Sequence, residues 1–302
     1  MNRMEYEVVI LKPAELILKS KGVRKQFEQK LLHNVKDCLK KKEIEFDHVV
    51  RGQARYFIYT PEPDEVLSAV KNIFGLSNIF KAAQVGADIK AIKTTILDLA
   101  EELGVNKKST FGIRATTVNS NIKMSSREVE TEVGSYIQEK TKAKVNLTKP
   151  DFWLRAEIVG PKAFIYSEAI EGFGGLPLGT AGKALALISE KEQDILAAWL
   201  IMRRGCEIIP LHIRETESEL IQFQKNCKKL EKFAWGSKIK PISIKGPKKD
   251  RKEIEKKAEE TGCKAIILGS LDHKTLECNI PIFEPIVGLD QKQLKALEKI
   301  VF

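Results

Sequence analysis

Apolar and polar positions alternate along this chain with two different periods. Short apolar runs such as residues 184–188 (ALALI) predict buried strands. Apolar residues at every third or fourth position, as at Phe27, Leu31 and Val35, predict amphipathic helices. The two patterns follow one another from the first residues to the last, so the sequence predicts the α/β fold class throughout.

Three blocks of the chain differ in the order of these patterns. Residues 1–75 give a strand, a helix, two strands and a helix, which is the order of a ferredoxin-like domain. Residues 76–170 predict a second α/β domain that ends in a hairpin. In residues 171–302 single strands and helices alternate, which predicts a Rossmann-like, doubly wound parallel sheet.

The composition is that of a folded protein with a basic surface. Of the 302 residues, 43% are hydrophobic and 30% are charged, and the formal net charge is +10. No run of about 18 apolar residues or secretory pattern occurs, so we expect no membrane span and a cytoplasmic location. The excess of cations favours a polyanionic partner such as nucleic acid, although Lys- and Glu-rich surfaces also occur in heat-adapted proteins.

The five cysteines do not form a metal or disulfide pattern. Their number is odd and no C-x-x-C pair occurs, so no metal site is assigned. Cys206, Cys227 and Cys263 fall in predicted strands or apolar helix stripes, and we expect them in the core. Cys278, in a predicted turn, is the only candidate for a catalytic thiol.

The turn at residues 189–194 joins a predicted strand to a predicted helix, which is where α/β proteins often bind phosphate. Helix N-termini offer free backbone N–H groups, and glycines normally let the anion approach the backbone. Here the turn reads SEKEQD and has no glycine. Ser189 and Glu192 have capping-box spacing, so we expect the helix to be capped by its own side chains.

The segments that flank this turn carry a specific pattern. Residues 175–183 read GLPLGTAGK, and residues 204–213 read RGCEIIPLHI. They resemble the GLPVGTxGK and RGxEVIPxHF motifs of the tRNA 4-thiouridine synthetase family, which joins a THUMP RNA-binding domain to a PP-loop ATP-pyrophosphatase domain. The family's PP-loop motif, SGGxDS, is degenerate here, because Glu190 and Lys191 replace both glycines.

Further motifs extend the resemblance along nearly the whole chain. Residues 74–77 are similar to the family's FGIS, residues 111–114 to the start of FxVRxxR, residues 145–151 to VxLxxPD and residues 283–290 to RPLIGxDK. The resemblance implies ferredoxin-like, THUMP and PP-loop-like domains over the three blocks. The chain then stops, whereas full-length members of the family continue.

The resemblance implies an ATP site in the last domain. Carried over residue by residue, it would comprise Leu187, Ile188, Ser189, His212, Ile213, Gly269 and Lys274. ATP and Mg²⁺ would be the cofactors of an active enzyme. Against this, a carboxylate about 4 Å from a phosphate charge costs about 4 kcal/mol at an effective dielectric constant of about 20. We therefore predict that ATP-dependent adenylation of uridine is lost or reduced, and we assign no certain cofactor.

The resemblance also implies that the THUMP domain binds the acceptor end of tRNA. The cations and helix-start serines that could contact phosphates are Lys19, Lys21, Arg24, Lys25, Arg51, Arg55, Arg114, Lys123, Ser125, Ser126 and Arg127. A solvated surface with Ser125 as an ordinary N-cap is the alternative. No aromatic-rich strand occurs, so we expect recognition by shape and not by base stacking.

The sequence leaves three functions open. The leading hypothesis is a tRNA-binding protein that resembles the 4-thiouridine synthetases, with the ATP-dependent step lost or reduced. The alternative is an active tRNA sulfurtransferase that makes 4-thiouridine at position 8 with ATP and a persulfide donor, supplied by a cysteine desulfurase. The third is a non-catalytic homodimeric scaffold that presents tRNA to another modifying enzyme.

Overall fold

A computed structural model describes residues 4–15, 20–214, 216–246, 251–269 and 279–302. The chain folds into two units. The first unit comprises Met1–Lys12, Ile44–Ser68 and Asn78–Glu171, and the second comprises Pro13–Glu43, Ala69–Ser77 and Gly172–Phe302. The chain therefore passes from one unit to the other five times.

One mixed sheet of nine strands forms the framework of the first unit. Its strands are β1 (Val8–Pro13), β2 (His48–Gly52), β3 (Arg55–Tyr59), β4 (Leu76–Gly86), β5 (Thr110–Val118), β6 (Lys144–Val145), β7 (Phe152–Val159), β8 (Lys162–Tyr166) and β9 (Ile170–Glu171). Their order is β2-β3-β1-β4-β8-β7-β5-β6, and β9 pairs with β4. Strands of the predicted ferredoxin-like and THUMP blocks thus share one sheet.

Two helices, α3 (Ile89–Glu102) and α4 (Ser126–Thr141), supply the apolar stripes that pack on β5 and β7. β5 is parallel to β7, so alternate residues of both strands, such as Ile113 and Leu154, enter the same core. The residues between them point to the opposite face of the sheet. Asp88 fixes the start of α3 by accepting hydrogen bonds from two backbone N–H groups of the first turn.

The second unit contains a five-stranded parallel sheet. Its strands are β10 (Lys183–Leu187), β11 (Glu207–Arg214), β12 (Ile242–Lys245), β13 (Ile266–Ile267) and β14 (Ile282–Phe283). Their order is β12-β11-β10-β13-β14, and all neighbouring strands are parallel. The chain winds outward from β10 in both directions, so the prediction of a doubly wound sheet is confirmed.

Helices alternate with these strands. They are α5 (Glu192–Arg203), α6 (Glu217–Glu231), α7 (Arg251–Thr261) and α8 (Gln291–Val301). The long helix α1 (Lys21–Lys41) belongs to the same unit. The short helix α2 spans Pro63–Val70. Within the described residues, no helix is long and apolar enough to cross a membrane.

An aromatic cluster organises the core of the second unit. The ring of Trp199 on α5 lies 5.3 Å from that of Phe74, 5.4 Å from Phe173 and 5.9 Å from Phe233. These distances are typical of edge-to-face packing, which stabilises beyond the burial of area alone. α1 is held by polar contacts, since the Asn34 amide donates to the carbonyl of Leu178 at 3.1 Å.

Candidate functional site

Most of the predicted nucleotide residues come together where β10 leads into α5. A small cavity of about 50 Å³ is lined there by Leu187, Ile188, Ser189, Glu190, Leu211, His212 and Ile213. Five of the seven residues predicted for the nucleotide site are among them. The carboxyl ends of parallel strands are where open α/β sheets bind ligands, so the cavity lies at the expected edge. Lys274 lies outside the described residues.

His212 is held in a fixed orientation at this edge. Its Nδ1 atom lies 2.7 Å from the carbonyl oxygen of Ile188, which can only accept, so Nδ1 carries the proton. Its Nε2 atom lies 3.6 Å from a carboxylate oxygen of Glu219, and the imidazole stacks on Phe223 with ring centroids 5.1 Å apart. The histidine is buried, and its hydrogen bond to Ile188 connects β11 to the residue that follows β10.

The turn after β10 differs from the predicted capping box. The backbone N–H and the hydroxyl of Ser189 both donate to Oδ2 of Asp194, at 2.9 and 2.5 Å. Lys191 occupies the N-cap position, and its side chain makes no capping hydrogen bond. The predicted pair of Ser189 and Glu192 was therefore wrong. Ser189 lies two residues before the N-cap, where Asp194, the third residue of the helix, can reach back to it. The carboxylate of Glu192 instead lies 3.7 Å from Nζ of Lys229.

An internal carboxylate thus occupies the donors with which Ser189 could bind an external anion. Asp194 is 1% exposed, and its Oδ1 atom has no hydrogen-bond partner within the described part of the chain. The amide side chain of Asn226 donates to the carbonyl of Ser189 at 2.9 Å, which holds the turn from its other side. The donors of Ser189 that were predicted to face a phosphate are thus occupied by Asp194.

Gly269 lies directly against the first turn of α5. A Cβ atom at this position would lie 2.4 Å from the Cα atom of Asp194 and 2.4 Å from the carbonyl oxygen of Gln193, so no side chain fits. Gly269 also lines a mainly apolar cavity of about 600 Å³, together with Lys191, Gln193, Ile286, Val287, Leu289 and Leu294. This cavity lies beside the first turn of α5.

The described cysteines have the properties of unreactive thiols. Burial raises the pKa of Cys38 and of Cys227 to about 12, and burial also raises the pKa of Cys206 and Cys263. Cys206 is half-buried, which corrects the expectation that it belongs to the core. Cys278 lies outside the described residues. Within the described ranges, no group of three or more His, Cys, Asp and Glu side chains could hold a metal ion.

The start of α4 presents cations to solvent. Lys123 and Arg127 are exposed, and neither has a carboxylate partner in the part of the chain that the structure describes. Ser125 forms a capping box with Glu128: its hydroxyl accepts from the N–H of Glu128 at 3.3 Å, and its own N–H donates to the Glu128 carboxylate at 2.7 Å. The Ser125 N–H holds the pKa of Glu128 below its usual range. The hydroxyl of Ser126 lies 3.1 Å from the N–H of Thr117 and accepts from it. Both serines are therefore engaged within the protein.

Two arginines at the β2–β3 hairpin have different surroundings. Arg51 is exposed. Arg55 is 8% exposed, and its Nε atom lies 3.3 Å from the Glu157 carboxylate, which also pairs with Lys12. The prediction that Arg55 contacts RNA is thus corrected, because a buried, ion-paired guanidinium does not reach a ligand in solvent.

The cations predicted at the start of α1 belong to the second unit. Lys21 and Lys25 are exposed and have no carboxylate partner within the described ranges. Arg24 pairs with Glu28 one turn along the helix, at 2.9 Å. Lys19 lies outside the described residues.

The structure also reveals an aromatic group that the sequence reasoning missed. Arg114 and Arg155 are paired across β5 and β7, and their guanidinium carbons lie 4.6 and 5.3 Å from the ring centroid of Trp153. In the sequence, the only indication of this cluster is that Trp153 and Arg155 are two residues apart in a predicted strand and therefore lie on the same face of the sheet.

Family models match the chain in three consecutive segments. They are described as a ThiI ferredoxin-like domain over residues 8–79, a THUMP domain over residues 86–168 and thiamine biosynthesis protein (ThiI) over residues 179–274. The corner described above lies in the third segment. The three descriptions agree with the resemblance seen in the sequence motifs.

Similar proteins match over almost the full chain. A Thermococcus kodakarensis protein named "Probable tRNA sulfurtransferase" is 30% identical, over 97% of this chain and 87% of its own length. A Methanobrevibacter smithii protein of the same name is 30% identical, over 96% of this chain and 85% of its own length.

Two solved structures share the fold. PH1313 from Pyrococcus horikoshii has a TM-score of 0.84 and 26% identity, covering 97% of this chain and 99% of its own. A 4-thiouridine synthetase–RNA complex with bound ATP has a TM-score of 0.80 and 26% identity, covering 98% of this chain and 85% of its own.

Proposed function

The chain belongs to the ThiI family of tRNA sulfurtransferases, and on that premise we propose that it binds tRNA and acts in the formation of 4-thiouridine. The observation that carries this proposal is the presence of all three family segments, in order, along one chain. The net charge of +10 and the exposed cations near the start of α4 support an RNA partner.

The activity proposed first is that of a tRNA sulfurtransferase. ATP would supply adenylation of the target uridine, and the sulfur would come from a persulfide donor loaded by a cysteine desulfurase. Leu187, Ile188 and His212 would hold the adenine side, and Mg²⁺ would arrive with the phosphates. The phosphates would have to displace Asp194 from the amide and hydroxyl of Ser189.

A second candidate is a tRNA-binding protein in which adenylation is reduced. The specific observation in its favour is the hydrogen bonding of Ser189 to Asp194, together with the exposed carboxylate of Glu190 in the same turn. Each carboxylate would repel a triphosphate, and without glycines the backbone cannot approach it closely. Both candidates share tRNA binding and differ in ATP use.

We also propose three domains, over residues 1–75, 76–170 and 171–302, action in the cytoplasm, and a homodimer as the assembled form. The domain proposal is supported by the separate family segments. Analytical ultracentrifugation tests the homodimer: a sedimentation coefficient of a monomer at all concentrations would contradict it.

The first experiment measures tRNA binding as a function of salt. For contacts that neutralise several phosphates, the logarithm of the association constant falls linearly with the logarithm of salt, with a slope of about −0.9 for each phosphate on duplex regions. Binding that is weak and independent of RNA structure would contradict both candidates. A steep slope with preference for folded tRNA supports both.

The second experiment separates the two candidates. The purified chain is incubated with tRNA, ATP, Mg²⁺, cysteine and a cysteine desulfurase, and nucleosides are analysed by mass spectrometry. Formation of 4-thiouridine supports the sulfurtransferase. tRNA binding without product supports the second candidate, and the triple variant Glu190→Gly, Lys191→Gly, Gln193→Asp then tests whether the turn is the cause. The variant Glu253→Gly, Lys256→Gly, which replaces one Glu and one Lys on α7 instead of in the turn, is the control.

A further inference from the structure

A tryptophan lies on the face of the first unit's sheet that is opposite α3 and α4. Trp153 on β7 is paired with Gly112 on β5, and both point away from the core formed by α3 and α4. A Cβ atom at Gly112 would lie 2.6 Å from the six-membered ring of Trp153, so the indole covers the backbone of this glycine. The side chain is half-buried, which leaves part of the indole in contact with solvent.

Two guanidinium groups flank the indole and are held there by backbone carbonyls. Arg114 donates to the carbonyl of Leu147 at 3.3 Å, and Arg155 donates through Nε to the carbonyl of Ser167 at 3.0 Å. Neither arginine has a carboxylate partner in the part of the chain that the structure describes. Their positive charges are therefore not neutralised by an acidic side chain, although their positions are fixed.

Planar groups with uncompensated positive charge are suited to an unpaired nucleobase and its phosphate. Every base has a π-face that stacks on indole or guanidinium planes, and guanidinium binds phosphate with two parallel hydrogen bonds. A neighbouring apolar side chain, Leu147, is 57% exposed and borders the same surface.

We propose that Trp153, Arg114 and Arg155 form a stacking site for an unpaired nucleobase of bound RNA. This inference rests on the proposed tRNA binding and adds base stacking to the recognition by shape that the sequence predicted. Trp153 is a binding residue in this proposal, because its own ring makes the contact with RNA.

The test uses the full chain and two RNA probes, a short single-stranded oligonucleotide and a blunt duplex of the same length. When a base stacks on a tryptophan ring, it quenches the fluorescence of the indole. Trp199 is 1% exposed and serves as a constant background, and Trp153→Phe removes the reporter while keeping an aromatic ring. We expect quenching by the single strand in the native chain, little quenching by the duplex, and no quenching in Trp153→Phe.

Affinity measurements complete the test. Trp153→Ala is expected to weaken binding of the single strand by about 5- to 100-fold, whereas Trp153→Phe weakens it by about threefold or less. The control Trp235→Phe should retain both affinity and quenching. Equal binding of the single strand by Trp153→Ala and the native chain would overturn the stacking site while leaving tRNA binding intact. Absence of binding to tRNA and to both probes would overturn this inference and the proposed function together.

Discussion

At the scale of single residues, an internal carboxylate occupies the hydrogen-bond donors that the proposed nucleotide phosphate would need. The Asp194 carboxylate accepts from the amide and the hydroxyl of Ser189, and a phosphate of a bound nucleotide would need the same groups. The internal carboxylate has the advantage of being tethered, since it loses no translational freedom on binding. Its cost is burial, because Oδ1 has no partner within the described residues.

Replacing Asp194 should therefore raise the affinity for ATP. We expect Asp194→Ser, which removes the carboxylate and restores the family's residue, to lower the dissociation constant about tenfold, the equivalent of about 1.4 kcal/mol. Asp194→Asn keeps the size and removes the charge, so a similar gain would assign the effect to electrostatics. Isothermal titration calorimetry measures both. Unchanged affinity in both variants would contradict the competition.

Gly269→Ala should destabilise the second unit. The added Cβ would overlap the backbone at Asp194, and overpacking of this kind costs about 1–3 kcal/mol. Gly288→Ala is the matched control, because nothing lies within 4 Å of a Cβ at that position. Urea unfolding measures the free energy of unfolding of both variants. Equal stability of the two would show that the first turn of α5 can shift to accommodate a side chain.

Two buried thiols should make the protein less stable at alkaline pH. The thiols of Cys38 and Cys227 have a pKa of about 12 in the folded chain and an ordinary value of 9.0. Above about pH 9 the unfolded state loses protons that the folded state keeps, so the free energy of unfolding falls as pH rises towards about 12. Urea unfolding across this range measures the fall. The double variant Cys38→Ala, Cys227→Ala should show a shallower dependence, and an equally steep one would contradict the assignment.

At the scale of elements, the start of α4 contains both the residue that caps the helix and a cation that we propose for RNA binding. The Ser125 hydroxyl accepts from the N–H of Glu128 within the capping box, whereas the exposed side chain of Arg127 has no carboxylate partner in the described ranges. The same turn thus contains one residue that stabilises the helix and one that is free to bind phosphate.

Arg127→Ala should reduce the affinity for tRNA and lower the magnitude of the salt slope by about 1. Ser125→Ala should lower the melting temperature and leave the salt slope unchanged, since its hydroxyl is already engaged. Fluorescence anisotropy with labelled tRNA, at several salt concentrations, measures both slopes. A change of slope in Ser125→Ala alone would reverse the assignment.

Elements of the second unit could be predicted from sequence, because β10, α5 and β11 have clear periodicity and follow one another closely. The flanking motifs also indicated where the site would lie. The bond from Ser189 to Asp194 was missed, since the rule for capping boxes does not say at which residue the helix begins. The cluster at Trp153 was missed because Gly112 and Trp153 meet only through strand pairing, 41 residues apart in sequence.

At the scale of the whole molecule, neither unit is a continuous segment. The second unit combines Pro13–Glu43, Ala69–Ser77 and Gly172–Phe302, and Phe74 from the middle segment packs on Trp199. A fragment of residues 172–302 would therefore lack α1 and one aromatic side chain of its core. Loss of such a side chain costs about 3–5 kcal/mol.

We expect this fragment to unfold at a lower temperature than the full chain and with a broader transition. Circular dichroism during heating measures both properties. Restoring residues 13–77 by co-expression should recover part of the stability, because those residues supply Phe74 and α1. A fragment with the melting temperature of the full chain would contradict the expectation.

The chain crosses between the two units five times, and this determines which contacts can form first during synthesis. The first unit can be completed once residue 171 has left the ribosome, whereas α1 in the second unit is made early. Two groups that hold α1 are made late, since Asn34 donates to the carbonyl of Leu178 and the backbone N–H of Gly236 donates to Asp37. Cys38 of α1 can reach its acceptor, the carbonyl of Ala69, early in synthesis, whereas the contacts to Leu178 and Gly236 form only after most of the chain has emerged.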